Sequence, residues 1–178
     1  MEILNTSIDG VFFIHPDVHA DDRGRFVESY RREWIVGGSE MLQSNRSEKT
    51  AGSLVGLHYH LYQADYWYVL RGTARVVLHD LRQGSPTQGV TLLTDADERD
   101  DRGIYIPPGV AHGFAALTDL LLHYQVDAYY DPADELGLAF DDPVLGADWG
   151  VTDPVCSSRD RGNPIRSAIP GNLLPRYR

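Results

Sequence analysis

Apolar and polar positions alternate in short runs along most of this chain, and turn residues separate the runs. Residues 10–15 (GVFFIH) read as a strand after a turn. Residues 21–30 (DDRGRFVESY) read as a tight turn at Arg23-Gly24 leading into another strand. From residue 43 onward short strands dominate: 65–70, rich in aromatic and β-branched side chains, then 73–81 (TARVVLHDL), 90–93, 104–106 and 120–128. Such runs, bounded by Gly, Pro and Asp, are strand signals. Residues 82–89 (RQGSPTQG) form a turn cluster, and the charged stretch 95–102 (DADERDDR) reads as a solvated loop. Helix signal is confined to residues 31–42, which Gly37-Gly38 interrupts, and to one short helix in the Pro- and Asp-rich C-terminal third. No repeat or linker divides the chain, so the expectation is one domain over residues 1–178. Many short strands with few helices predict an all-β sandwich or barrel with a few short peripheral helices.

Composition narrows the partners. With 178 residues the chain is long enough to bury a core. Its formal net charge of -10 argues against nucleic acid or an anionic membrane as partner. The single cysteine, Cys156, excludes an internal disulfide and fits a reducing compartment. No apolar run is long enough to span a bilayer, and the opening MEILNTSIDG lacks a basic segment followed by an apolar one. A cytoplasmic location is expected.

The chemistry gathers in two stretches, residues 52–72 (GSLVGLHYHLYQADYWYVLRG) and 104–114 (IYIPPGVAHGF). His58 and His60, two apart on a strand, share a face. With Asp65 and His112 they offer three imidazoles and a carboxylate, a donor set for a divalent transition metal such as zinc, nickel, iron or manganese. The spacing of Gly52, His58, His60, Asp65, Gly72, Pro107, Gly109 and His112 resembles the cupin signature, with Asp65 where Glu is usual and Ala116 where Asn is usual.

A second resemblance runs nearly end to end. It covers D-x-R-G-x-F-x-E (Asp21 to Glu28), Q-x-N-x-S (Gln43, Asn45, Ser47), G-L-H-Y (Gly56 to Tyr59) and D-L-R-x-G-S-P-T-x-G (Asp80 to Gly89). Further on it covers I-P-x-G-x-A-H-G-F (Ile106 to Phe114), Y-x5-Y-x-P-x-x-E (Tyr124 to Glu135), D-D-P (Asp141 to Pro143) and S-x-R-D (Ser157 to Asp160). On these motifs the chain resembles the dTDP-4-dehydrorhamnose 3,5-epimerases, which are cupin-type jelly rolls. The resemblance implies His58 as general base, Asp160 as the carboxylate that orients it, and Tyr124 as the acid on the opposite sugar face. It implies nucleotide binding by Arg23, Phe26, Glu28, Gln43 and Asn45, partly across a homodimer interface, with His112 also at the substrate. No cofactor is needed in the implied mechanism.

Two departures fall at the centre of the implied site. Val55 replaces the Arg that usually precedes G-L-H. Asp65 stands in the column of a Lys that stabilises the enolate oxygen, because the segment from G-L-H to Gly72 is about three residues shorter than the usual spacing. A carboxylate there opposes a developing enolate. The same shortening brings His58, His60 and Asp65 into cupin metal spacing. Three readings therefore stand together: an epimerase of a nucleotide-linked 4-keto-6-deoxy sugar at C3, C5 or both; a metal-dependent cupin of another class, such as a dehydratase or non-haem oxygenase; and a non-catalytic nucleotide-sugar-binding cupin.

Overall fold

The structure is a computed structural model that describes residues 1–35 and 37–178. Its described residues form thirteen strands. These are β1 (Glu2–Asn5), β2 (Phe12–His15), β3 (Val18–Asp21), β4 (Gly24–Val27), β5 (Gln43–Lys49), β6 (Leu54–Tyr59) and β7 (Asp65–Arg71). Then follow β8 (Thr73–Asp80), β9 (Thr91–Asp97), β10 (Gly103–Ile106), β11 (Val110–Ala116), β12 (Leu120–Val126) and β13 (Leu136–Gly137). One sheet has the order β1-β2-β10-β7-β12-β5 and the other β13-β6-β11-β8-β9, while β3 and β4 pair only with each other. This is the all-β, cupin-like sandwich expected from the strand pattern.

The alternation along each strand assigns its faces. On β8, Ala74, Val76 and Leu78 join one apolar cluster, with Val69 of β7, Ile104 and Ile106 of β10, Phe114 of β11 and Leu122 of β12. Because that cluster draws on both sheets, it is the filling between them. Val77, one position out of phase, belongs to another cluster with Leu57, Ala111, Leu138, Leu145 and Trp149. The irregular C-terminal third thus covers the outer face of the smaller sheet. The outer face of the larger sheet is covered around Trp34 and Ile35, which pack with Tyr66 and Tyr68 of β7.

Three local expectations need correction. The helix expected over residues 31–42 shrinks to a single 3-10 turn, Arg32–Trp34; Val36, within that stretch, lies outside the described residues. Here burial of Trp34 and Ile35 against the sheet prevails over helix propensity. The charged loop expected at 95–102 begins later, because Asp95, Ala96 and Asp97 extend β9 and pair with Arg75, Ala74 and Thr73. Opposite charges across the ladder hold that extension, with Arg75 Nε 2.8 Å from Asp95 Oδ1. Strand β11 was not anticipated as a strand. It is buried on both faces, so its sequence VAHGFAA lacks polar alternation.

Candidate functional site

Between the two sheets, against the apolar filling, lies a cavity of about 660 Å³. Its wall takes inward-facing side chains from five strands: Gln43, Asn45, Ser47 and Lys49 of β5, Val55 and His58 of β6, Asp65 and Trp67 of β7, His112 and Phe114 of β11, and Leu122 and Tyr124 of β12. Period-two geometry accounts for each set except that of β6. There Val55 faces in, so strict alternation would turn His58 outward.

A bulge resets the phase. Between β6 and β11 the register passes from Leu54↔Ala115 and Val55↔Phe114 to His58↔His112, so one extra residue lies on β6. Gly56 takes φ of 97° at this point. A Cβ there would stand 2.8 Å from the His112 carbonyl oxygen. The bulge and the glycine together aim His58 and His60 into the cavity, one of the known uses of bulges beside functional sites.

His58 Nε2 lies 2.6 Å from Asp160 Oδ1. Asp160 sits in the first turn of the four-residue helix α1 (Ser158–Arg161), and its backbone N–H donates to the Ser157 hydroxyl at 3.0 Å. Ser157 is therefore the cap, which leaves the Asp160 side chain free for His58. Burial alone would raise the Asp160 carboxyl. The hydrogen bond and charge of His58, with bonds from Ser157 and the Gly56 backbone, outweigh it and hold the group below its usual range. Glu135 stands beside the pair, its Oε1 3.5 Å from His58 Nδ1 and 3.2 Å from Arg159 Nη1. Glu135 appeared in the sequence only as part of a motif, and its closeness to His58 depends on the path of the chain after β12.

Tyr124 is half-buried. Burial, then the nearby Asp65 and Glu135 carboxylates, push its phenol above the usual value. His112 is pushed down to about 4, chiefly by burial; Asp65 pulls the other way, and His60 adds to the lowering. The imidazole is therefore neutral at ordinary pH.

Of the four residues expected to hold a metal, His60, Asp65 and His112 come together, with one ligand atom from each within 4.8 Å of the others. His58 does not join that group, its Nε2 being engaged by Asp160. The expected nucleotide-binding residues divide in the same way. Gln43 and Asn45 line the cavity, Gln43 Nε2 donating to Asn45 Oδ1 at 2.8 Å. Arg23 and Phe26 lie instead on the separate β3–β4 hairpin, Phe26 with 64% of its surface exposed and Arg23 forked onto Asp21. Glu28 follows that hairpin and pairs with Arg31 at 3.2 Å.

The departures also have places. Val55 lines the cavity without charge. Lys49, the one lysine of the sequence, lines it as well and makes no ion pair within 4 Å among the described residues. That residue did not stand out in the sequence because its position on an inward edge-strand face is visible only in the fold.

Comparison with known proteins gives a consistent result. The profile of the dTDP-4-dehydrorhamnose 3,5-epimerase family matches residues 5–167. A dTDP-4-dehydrorhamnose 3,5-epimerase of Methanothermobacter thermautotrophicus is 35% identical over 92% of this chain and 94% of its own. A dTDP-4-dehydrorhamnose 3-epimerase of Streptomyces niveus is 36% identical over 99% of this chain and 90% of its own. The crystal structure of a Legionella pneumophila 3,5-epimerase in complex with dTDP-4-keto-L-rhamnose superposes with a TM-score of 0.93, at 34% identity, covering 99% of this chain and 98% of that one.

Proposed function

Given that the chain belongs to the dTDP-4-dehydrorhamnose 3,5-epimerase family, we infer that it is an isomerase of dTDP-linked 4-keto-6-deoxy sugars, inverting C3, C5 or both. The C–H bonds at these carbons are acidic because they flank the 4-keto group. The chemistry needs a base on one face of the ring and an acid on the other.

His58 is the base. A carboxylate can only accept, so the hydrogen bond to Asp160 is made by the Nε2–H, which leaves Nδ1 as the nitrogen able to take a proton. Asp160 fixes the tautomer and stabilises the imidazolium once it forms. Tyr124 is the acid: with its phenol raised by burial it keeps its proton until a strongly basic enolate carbon faces it. These proton transfers need no cofactor. The observation that carries this reading is the 2.6 Å His58–Asp160 pair, set in a cavity that also takes Tyr124.

Gln43, Asn45 and Lys49 supply the polar wall for the nucleotide sugar. Arg23 and Phe26 stand away from their own cavity, which supports a homodimer in which each hairpin completes the partner's site, with Phe26 stacking on thymine and Arg23 meeting a phosphate. The lone free Cys156 and the net charge of -10 support a cytoplasmic enzyme.

The test is incubation with a dTDP-4-keto-6-deoxy sugar in heavy water. Deuterium is expected at C3, C5 or both, read by NMR, and its position distinguishes a 3-epimerase from a 3,5-epimerase. His58→Ala should abolish exchange. Tyr124→Phe should keep exchange on the base's side while slowing product formation by about 10²–10⁴-fold. Wild-type exchange in His58→Ala would overturn the assignment.

A further inference from the structure

A buried carboxylate and two buried histidines line the cavity side by side. Asp65 is 3% exposed. Its Oδ1 accepts from Gln63 Nε2 at 2.9 Å and its Oδ2 from Trp67 Nε1 at 3.0 Å. No Arg or Lys pairs with it among the described residues, and a buried carboxylate calls for a positive partner.

Two imidazoles lie beside it. His60 Nδ1 is 2.9 Å from the Asp134 carbonyl oxygen, and His112 Nδ1 is 2.9 Å from that of Val110. A carbonyl only accepts, so each ring donates from Nδ1 and is held with Nε2 toward Asp65. Those nitrogens stand 3.9 and 3.8 Å from the Asp65 oxygens. At that separation no hydrogen bond forms. The two Nε2 atoms and the Asp65 carboxylate therefore form one group of possible ligand atoms, all within 4.8 Å of one another. An Nδ1–H held by a backbone carbonyl is also the arrangement that orients metal-ligating histidines.

We propose that His60 Nε2, His112 Nε2 and the Asp65 carboxylate bind one divalent first-row transition ion, with at least one coordination position open to the cavity. Metal–nitrogen bonds of about 2.1 Å in tetrahedral geometry put ligand atoms roughly 3.4 Å apart. The observed Nε2–Asp65 separations of 3.9 and 3.8 Å lie near that value. Two imidazoles with one carboxylate accept zinc, nickel, iron or manganese.

His58 stands outside this group of three, with its Nε2 held by Asp160. The ion and the proton-transfer pair therefore coexist in one cavity. The ion occupies the column where the family's Lys is replaced by Asp65, and can act as Lewis acid on the 4-keto oxygen. That role rests on the epimerase reading, whereas the binding rests on the side chains alone.

The experiment uses untagged full-length protein, stripped with a chelator and titrated with cobalt(II). One equivalent per chain is expected, with the intense visible bands of four- or five-coordinate cobalt, displaced by zinc. The near-isosteric Asp65→Asn and His60→Gln should each lose the bands while circular dichroism stays unchanged. His58→Asn should keep them and yet lose solvent exchange into the substrate, so a failed metal site and a failed epimerase reading are told apart. Wild-type protein showing only weak octahedral bands without saturation would overturn the site. So would Asp65→Asn and His60→Gln binding like wild type, or loss of the bands in His58→Asn.

Discussion

Gly56 ties backbone conformation to chemistry. At φ of 97°, with the His112 carbonyl 2.8 Å from any added Cβ, the position resists a side chain on two counts. Gly56→Ala should destabilise the fold by about 1–3 kcal/mol, the usual cost of a residue held in a sparsely populated backbone region. It should also depress the exchange rate by swinging His58 away. Urea denaturation and the deuterium assay measure the two effects. Lys49 is the complementary case. Its ammonium makes no ion pair within 4 Å among the described residues and lines a cavity where Val55 brings no charge, so it should meet a phosphate, and Lys49→Gln should weaken dTDP binding by about 1.5–3 kcal/mol in calorimetry. His58, Asp160 and Tyr124 were legible because each sits in a short, specific motif. The bulge that turns His58 inward was not, since an extra residue in one strand is defined only by the strand opposite.

The turn after β8 shows how one element is locked. The Asp80 carboxylate accepts from Arg82 Nε and Nη2, each at 2.8 Å, from the Ser85 hydroxyl at 2.6 Å and from that of Thr87 at 2.8 Å. Burial works to raise the carboxyl, but these bonds prevail and hold it below its ordinary value. Its contribution to stability is therefore complete above the unfolded value of about 3.9 and is lost as pH falls through the lower folded value. Asp80→Asn should cost about 3–5 kcal/mol near neutral pH, as expected for breaking a buried pair. It should also flatten the acid limb of stability against pH, measured by denaturant titration at several pH values. Strands such as β7 and β8 could be read from their periodicity. Residues 31–42 could not, since Trp34 and Ile35 take their conformation from the sheet they cover rather than from their neighbours.

For the whole molecule the open question is what the β3–β4 hairpin touches. It joins neither sheet. If it completes the site of a second copy, Arg23→Ala chains and His58→Ala chains, each inactive alone, should regain part of the activity when mixed and allowed to exchange subunits. A mixed dimer then holds one cavity with both residues intact. Arg23→Ala by itself should weaken dTDP binding by about 1.5–3 kcal/mol. That expectation rests on family resemblance alone, because a single chain places Arg23 and Phe26 apart from the cavity.

If two copies do exchange this hairpin, it also offers a readout of their assembly. Its Asp22-Arg23 turn and the start of β4 carry two tryptic sites, with the Arg23 side chain 89% exposed and that of Arg25 47% exposed. Exposed loop tips are where proteases nick first. A free subunit should be clipped there before either sheet is touched, and a subunit whose hairpin is seated in a neighbour should resist. In such a dimer the rate of cutting after Arg23 and Arg25, followed by mass spectrometry as protein is diluted, would read how long each copy keeps hold of the other.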